Sequence, residues 1–433
     1  MSDLPIVVRP FETAAERDAF YLAASHAFNP TISEDERLSN VAGRRERAES
    51  APNYDPTLLR GAFRGETFLG GYRIQERRMQ VGVARLLTCC IGAVVTHPDA
   101  RLQGVATALM RDAIALARSR QNALLLLDGI AHFYHRFGYI DVFDITDHTI
   151  NRALVLAQLP SPVTVRLATL DDAPAMLALY QRHYGPSIGS FERTATEYRY
   201  LLSVALSVGD TIALAVNTDG QPCGYLFIAR EPEQFNAIEA AADSWPAALA
   251  LLQYHAHMLE TLPGPAPELC WRVSPDSSTL YLLADHLSVP DTSAWEGPAY
   301  GWSVKSQTFH HPDAGWMARV ASLPSLAQAM LPEWQARWQR GTTRWSGALT
   351  LVVDGETCAL ALEGASIRLL DEPPAQARQV ILSQQGLTQL LFGYRPLALI
   401  AAQPDHSIPA DLFPVLEALF PPVHACIAGS DDF

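Results

Sequence analysis

From Val105 onward, apolar residues recur at Val105, Leu109, Met110, Ala113, Ile114 and Ala117, a helical period that puts them on one face. Just upstream, Ile91 to Thr96 is a nearly unbroken apolar run and reads as a buried strand. His97-Pro98-Asp99-Ala100 ends that run, and Arg101-Leu102-Gln103-Gly104 leads into the helix. A second strand is predicted over Ala123 to Leu127. Two stretches open alike. Val8-Arg9-Pro10 precedes ETAAERDAFYLAA, and Val165-Arg166-Leu167 precedes TLDDAPAMLALYQ. Each is a short strand, an acidic turn able to cap a helix, and an amphipathic helix, which is a weak internal repeat. Toward the C-terminus, Trp316 to Trp338 reads as helices. Gly347 to Leu370 alternates as strands do, with Asp354-Gly355 as a hairpin turn. Breaks at Leu159-Pro160-Ser161-Pro162 and over Pro290 to Pro298 divide the chain into segments 1–158, 159–295 and 296–433, each the size of a domain. The fold class is α/β (α+β), with mixed sheets.

Composition narrows the function classes. The 433 residues are 48% hydrophobic and 18% charged, enough apolar material for a core in every segment. The net charge of −14 argues against nucleic acid and against a polybasic membrane-surface role. Lys305 is the sole lysine, so it alone could serve lysine-dependent chemistry. The six cysteines form no C-x-x-C and no zinc spacing, so no metal is expected, and adjacent Cys89 and Cys90 read as buried small hydrophobes. The start of the chain lacks the basic and apolar regions of a signal peptide. The longest uncharged apolar run, Leu86 to Val95, is about half a membrane span. The expectation is a soluble, cytoplasmic chain with no membrane partner.

The stretch from Cys90 to Ala117 carries the most specific chemistry. A strand, a short loop and a helix that starts at a glycine form an anion-binding arrangement. The first helical turn offers unpaired N–H groups and the positive end of the dipole. Gly104 and Ala106 are small enough for a phosphate to approach the backbone, and Arg101 adds a charge at the rim. The residues match neither G-x-G-x-x-G nor G-x-x-x-x-G-K-[ST], so the dinucleotide and P-loop readings fail.

The pattern Arg101-x-x-Gly104-x-Ala106 after a strand resembles the acetyl-coenzyme A loop of the GNAT superfamily of N-acetyltransferases, and GIAHFYHRFGY, Gly129 to Tyr139, resembles the end of that fold. Taken whole, the chain resembles the enhanced-intracellular-survival acetyltransferases. The resemblance rests on Val81 to Met110 with IAHFYHRFGY, on the repeat at Val165, and on a tail of GWMARVASLPSLAQA, QGLTQLLFGY, LFPVLEALFPP and a terminal Asp-Asp-Phe. In the second segment, WRVSPDSSTLYLLADHL, Trp271 to Leu287, has no glycine, and no Lys or Arg follows Pro275. The resemblance therefore implies two GNAT-type mixed-sheet domains, the first catalytic and the second without a cofactor loop, followed by a sterol-carrier-protein-like α/β domain with a functional C-terminus.

It further implies acetyl-CoA as acyl donor, held by Val94, Val95, Thr96, Arg101, Leu102, Gln103, Gly104, Val105, Ala106, Thr107, Gly129 and Ile130. A backbone N–H of Val94 to Thr96 would meet the developing oxyanion. Tyr134 would be the acid, with Tyr139 as fallback, and the terminal carboxylate of Phe433 the base or an anchor. A free α-carboxylate is a poor base unless its site raises its pKa. Asp431 and Asp432 read as exposed tail charge, able to attract a cation. His132 and His135 flank Tyr134 without a third metal ligand, while His310-His311 and His255-x-His257 read as surface or packing residues. The function expected is N-acetylation of a primary amine on a small cationic acceptor, a polyamine, an aminoglycoside or a lysine-like amine, by direct transfer in a ternary complex. The alternative is an apolar-ligand or lipid binder with a cofactor-sensing, non-catalytic first domain, since LTLVV, ALAL and LLFGY could line a tunnel. The resemblance also suggests homo-oligomers, up to hexamers.

Overall fold

A computed structural model describes residues 4–229, 235–264, 267–287, 302–311 and 314–431. The break predicted over Pro290 to Pro298 lies outside them, as does Phe433. The N-terminal part runs β1 (Val7–Pro10), α1 (Ala14–Phe28), α2 (Glu34–Ser50), β2 (Leu59–Arg64), β3 (Thr67–Val81), β4 (Ala84–Thr96), α3 (Val105–Ser119), β5 (Leu124–Gly129) and β6 (Ile140–Asp141). The middle part runs β7 (Ile145–Ile150), α4 (Arg152–Ala157), β8 (Thr164–Leu167), α5 (Ala173–His183), α6 (Ala195–Val208), β9 (Thr211–Val216), β10 (Pro222–Ile228), β11 (Ala237–Ala242), α7 (Trp245–Glu260), β12 (Leu269–Trp271) and α8 (Ser278–His286). The last part runs β13 (Val304–Phe309), β14 (Gly315–Val320), α9 (Leu323–Arg340), β15 (Gly347–Val353), β16 (Glu356–Glu363), β17 (Ser366–Leu370), β18 (Arg378–Leu382), α10 (Gln384–Leu391), α11 (Leu397–Ala401) and α12 (Phe413–Leu419).

Among the described residues these strands build three mixed sheets, ordered β1-β2-β3-β4-β5-β14-β6, β13-β7-β12-β11-β10-β9-β8 and β17-β16-β15-β18. In both long sheets the opening strand leads into helices and then pairs antiparallel with the next strand. The capping boxes at Thr13 with Glu16 and at Thr169 with Asp172 are both made. Arg9 pairs with Glu16 as Arg166 pairs with Asp172. In each pair the Arg hydrogen bond is the main force holding the acid down, to about 2.

The sheets run across the expected segment boundaries, and one element needs correction. The boundaries at 158 and 295 do not follow the sheets. β7, from the first segment, sits in the second sheet, and β13 pairs with it along its whole length. β14 is inserted between β5 and β6 of the first sheet. Trp316 therefore lies on a strand, and the helix begins only at Leu323. A strand buried between two neighbours loses the alternation that marks strands in sequence, so Trp316 to Val320 imitated a helix.

The apolar runs of the last part are packed. Leu349, Leu351, Leu360 and Leu362 meet Trp334 of α9 and Leu390, Leu391 and Phe392 in one core, all of them nearly inaccessible. Asp354 and Gly355 both have positive φ, 47° and 87°, the type I′ geometry that a two-residue hairpin needs. Cys89 and Cys90 are buried, and burial pushes the Cys90 thiol up to about 12. No helix of the described residues is long and apolar enough to cross a membrane.

Candidate active site

β4 is paired unequally on its two sides. Toward β5 the parallel pairing stops at Cys90–Leu126, whereas toward β3 it runs on to Thr96. The two parallel strands thus part beyond Cys90, and Val94, Val95 and Thr96 face the opening on their unpaired side. The register also breaks there. Gly71 pairs with Val95 and Arg73 with Gly92, so Ala93 and Val94 oppose the single Tyr72. Ala93 takes φ 52°, the left-handed conformation of a bulge. A bulge re-aims backbone N–H groups, which suits an oxyanion donor.

α3 begins at the mouth of this opening. Its N-cap is Gly104, φ 83°, with no side-chain hydrogen bond to the first turn. α1, α2, α6, α7, α8 and α9 are each capped by a Ser or Thr oxygen. The first-turn N–H groups over Val105, Ala106 and Thr107 are therefore left for an external acceptor. A Cβ added to Gly104 would meet nothing within 4 Å, so the space above this turn is open. On the other face, Gly70 lets the strands and α3 close up, since a Cβ there would stand 3.3 Å from Val105 Cγ1 and run into the Val95 carbonyl. Arg101 and Leu102 are exposed, and Leu102 turns outward with φ 61°.

Gln103 braces the loop, donating to the Asp99 carbonyl at 2.7 Å and accepting from Arg64 at 2.9 Å. Arg64 thus brings a second guanidinium to the loop that carries Arg101. It was not legible in sequence because it lies on β2, far from the loop in the chain. In the second long sheet the helix that joins the parallel β11 and β12 is α7, and among the described residues its first turn is closed by its own N-cap, the Ser244 oxygen accepting from Ala247 N–H.

Tyr134 opens a short turn, Tyr134–Phe137, that follows β5. A Cβ at Gly129 would lie 2.7 Å from Tyr134 Cδ2, so the missing side chain at the end of β5 makes room for this ring. Ile130 is exposed beside it. Phe133 meets the Tyr134 ring edge-on at 4.8 Å, and Arg319 of β14 donates to the Phe137 carbonyl, fastening the turn. Burial, with Asp128 adding, pushes the Tyr134 hydroxyl up to about 12, so it stays protonated at neutral pH. The fallback, Tyr139, is wholly buried with its hydroxyl unpartnered among the described residues, which removes it from contact with any substrate. His255 is packed, accepting from Trp271 Nε1, and burial lowers it to about 4.

A cavity of about 530 Å³ opens on the bulge from the other side, within the size range of small-molecule sites. Ala93 is among the residues that line it. α1 and α2 form one wall, and α6, Phe227, Ile238, Gly429 and Ser430 form the opposite wall. Its residues come from so many elements that no motif could announce it.

The tail beside it corrects another expectation. Asp431 is not exposed: it is wholly buried, bonded by Arg77 of β3 and by Arg193 at 2.8 Å, with Tyr180 donating at 3.3 Å. Arg193 also pairs with buried Glu239 at 2.9 Å. Burial alone would raise the Asp431 carboxyl, but the Arg193 and Arg77 charges overcome it and hold it low. It is an ion-paired anchor, not a base. Among the described residues no cluster of His, Cys, Asp or Glu is placed to hold a metal.

Residues 8–140 match the family described as Acetyltransferase (GNAT) domain. No curated protein matches the chain. Solved structures do. A GCN5-related N-acetyltransferase from Anabaena variabilis is 13% identical over 99% of this chain and 100% of its own, with a TM-score of 0.73. One from Kribbella flavida is 16% identical over 99% of both chains, with a TM-score of 0.71. Eis1 from Mycobacterium abscessus is 14% identical over 99% of this chain and 100% of its own, with a TM-score of 0.61. At such identities the likeness is one of fold. The match over residues 8–140 is to a GNAT acetyltransferase domain, and the enzyme class it indicates is that of the acetyltransferases.

Proposed function

We propose that the protein transfers the acetyl group of acetyl-CoA to a primary amine of a small acceptor, directly, in a ternary complex. The observation that carries this reading is the parted β4 and β5, with an uncapped helix N-terminus on one side and a cavity lined in part by Ala93 on the other. The donor side fits a pantetheine pyrophosphate: open space over Gly104, first-turn N–H groups, and Arg101 and Arg64 at the rim. The acceptor nitrogen would enter from the cavity. The wider likeness to the enhanced-intracellular-survival enzymes, including a sterol-carrier-like last unit, a cytoplasmic location and homo-oligomers, belongs to this proposal. The packed apolar core of the last unit supports a structural role there rather than a lipid tunnel.

In the reaction the neutral amine nitrogen forms a bond to the acetyl carbon as the C–S bond breaks, and the proton the nitrogen sheds ends on the departing sulfur, carried there by water. The N–H groups of the bulged strand would hold the carbonyl oxygen as it gains charge. Tyr134 has a role that its pKa limits. A hydroxyl near 12 cannot give its proton outright to a thiolate whose acid is near 8.5, but it can donate a hydrogen bond as the charge develops. Tyr134→Phe is expected to lower kcat by roughly a hundredfold, the scale of one lost donor, with KM for acetyl-CoA little changed. A fall shared equally between kcat and cofactor affinity would mark a packing role instead.

The test of the whole reading is thermal unfolding with and without acetyl-CoA. Cofactor at a hundred times its Kd adds about 2.7 kcal/mol to stability. An upward shift of the midpoint is expected, followed by thiol release when an amine is supplied. No shift at millimolar acetyl-CoA would overturn the proposal.

A further inference from the structure

We infer that the acceptor amine carries a second, anionic group, a carboxylate or a phosphate, that docks on Arg44 and Arg47 of α2 while the amine reaches toward Ala93. This deepens the proposed function and rests on the cavity being the acceptor site. It also replaces the simple cation suggested by net charge.

The charges around the cavity are settled unequally. Its wall carboxylates are engaged inside the protein. Glu76 receives Arg120 at 2.7 Å and Asn122 at 2.8 Å. Asp55 receives Thr57, and Arg120 at 3.4 Å. Glu197 accepts from the Thr194 N–H and from Asn53, and Asp210 has a partner of its own. Arg77 and Arg193 are neutralised by Asp431 and Glu239.

On α2 the outer arginines are likewise paired, Arg45 with Asp18, while Arg17 of α1 pairs with Glu49. Arg44 and Arg47 differ. They sit one turn apart, half-buried, and line the cavity. Among the described residues neither has a carboxylate within ion-pair distance. Two like charges at i and i+3 repel. Burial and then the Arg47 charge hold Arg44 below its ordinary value, as befits a guanidinium without a counterion.

The turn is held in place despite that repulsion. Tyr200 of α6 donates to the Arg47 carbonyl across the cavity, and Gly43 leaves Arg47 Nη1 3.4 Å from where its Cβ would be. Guanidinium forks recognise carboxylate and phosphate oxygens. The same cavity is also lined by the aromatic side chains of Phe20, Tyr21, Tyr54 and Phe227. The occupant that fits has an amine, an apolar body and an acid in that order. The overall negative charge does not favour the encounter, so the arginine pair serves selectivity more than capture rate.

A series of ω-amino carboxylates of increasing chain length tests this against the matched amides, diamines and aminoalkyl phosphates. Binding to acetyl-CoA-loaded protein is read by calorimetry and transfer by thiol release. At the best length the acid is expected to bind about tenfold or more tightly than its amide, with a preference that shrinks as salt is added. In Arg44→Ala/Arg47→Ala that preference should collapse toward one, and Arg44→Lys should keep part of it. A wild-type protein that takes amide or diamine as well as acid overturns the inference, whatever the variants do. A double variant that folds and keeps the preference also overturns it. If acetyl-CoA itself fails to bind, the parent reading falls and takes this one with it. If acetyl-CoA binds and acids are not preferred, only this one falls. The carboxylate and phosphate arms decide between the two anions.

Discussion

Gly104→Glu is expected to abolish acetyl-CoA binding, raising Kd by more than about a hundredfold, while the protein stays folded. Two effects act at this residue, and they can be separated. The first is backbone strain. With φ at 83°, any side chain costs on the order of 1 kcal/mol. The second is what the side chain does in the space above α3. A Cβ there clashes with nothing in the protein, so the glutamate would project into the open mouth. A carboxylate on an uncapped N-terminus satisfies the free N–H groups itself and repels an incoming pyrophosphate. Gly104→Ala keeps the strain without the charge and is expected to bind acetyl-CoA with a much smaller loss. The measurement is the acetyl-CoA-dependent shift in unfolding midpoint for both variants. An unchanged shift in Gly104→Glu would remove the cofactor from this loop.

Asp431→Ala is the second large effect. Its carboxylate neutralises Arg77 of the first long sheet and Arg193, from the segment just before α6, and all three groups are buried or nearly so. Without it Arg77 and Arg193 share only Glu239 among the described residues, which leaves one buried positive charge uncompensated, typically about 3–5 kcal/mol. The expected result is a comparable drop in unfolding free energy and a mobile tail, visible as protease cleavage near Ala428. Acid should act the same way. A carboxyl whose folded pKa is depressed stabilises the protein above its unfolded pKa, near 3.9, and the contribution is lost as pH falls through the folded value. The anchor therefore holds through neutral and mildly acidic conditions and gives way only in strong acid. A stable Asp431→Ala protein with an ordered tail would show that the surrounding packing alone positions the chain end.

The parts of this molecule written locally could be read from its residues. The start of α3 at Gly104, the loop before it and the Asp354-Gly355 turn each depend on a few neighbouring side chains, and the structure has them where the pattern puts them. What was not legible depends on distant partners. Ala93 takes a left-handed conformation with no glycine to signal it, because β3 supplies one residue where β4 supplies two. Asp431 looked like a solvated tail because its arginines stand 354 and 238 residues away. The cavity exists only once α1, α2 and α6 face each other, so nothing local in the sequence marks Arg44 and Arg47.

The placement of β13 and β14 also bears on how the chain is made. A ribosome adds residues at roughly 5–20 per second, so β5 and β7 have been made roughly 8–40 seconds before β14 and β13, the strands that pair with them. During that interval β5 and β7 present bare edges, the surface most prone to stray pairing. Nascent chains are thus exposed to misassembly until residues 304–320 arrive. Expression yield should therefore depend on chaperone supply and growth temperature more than the stability of the finished fold would suggest.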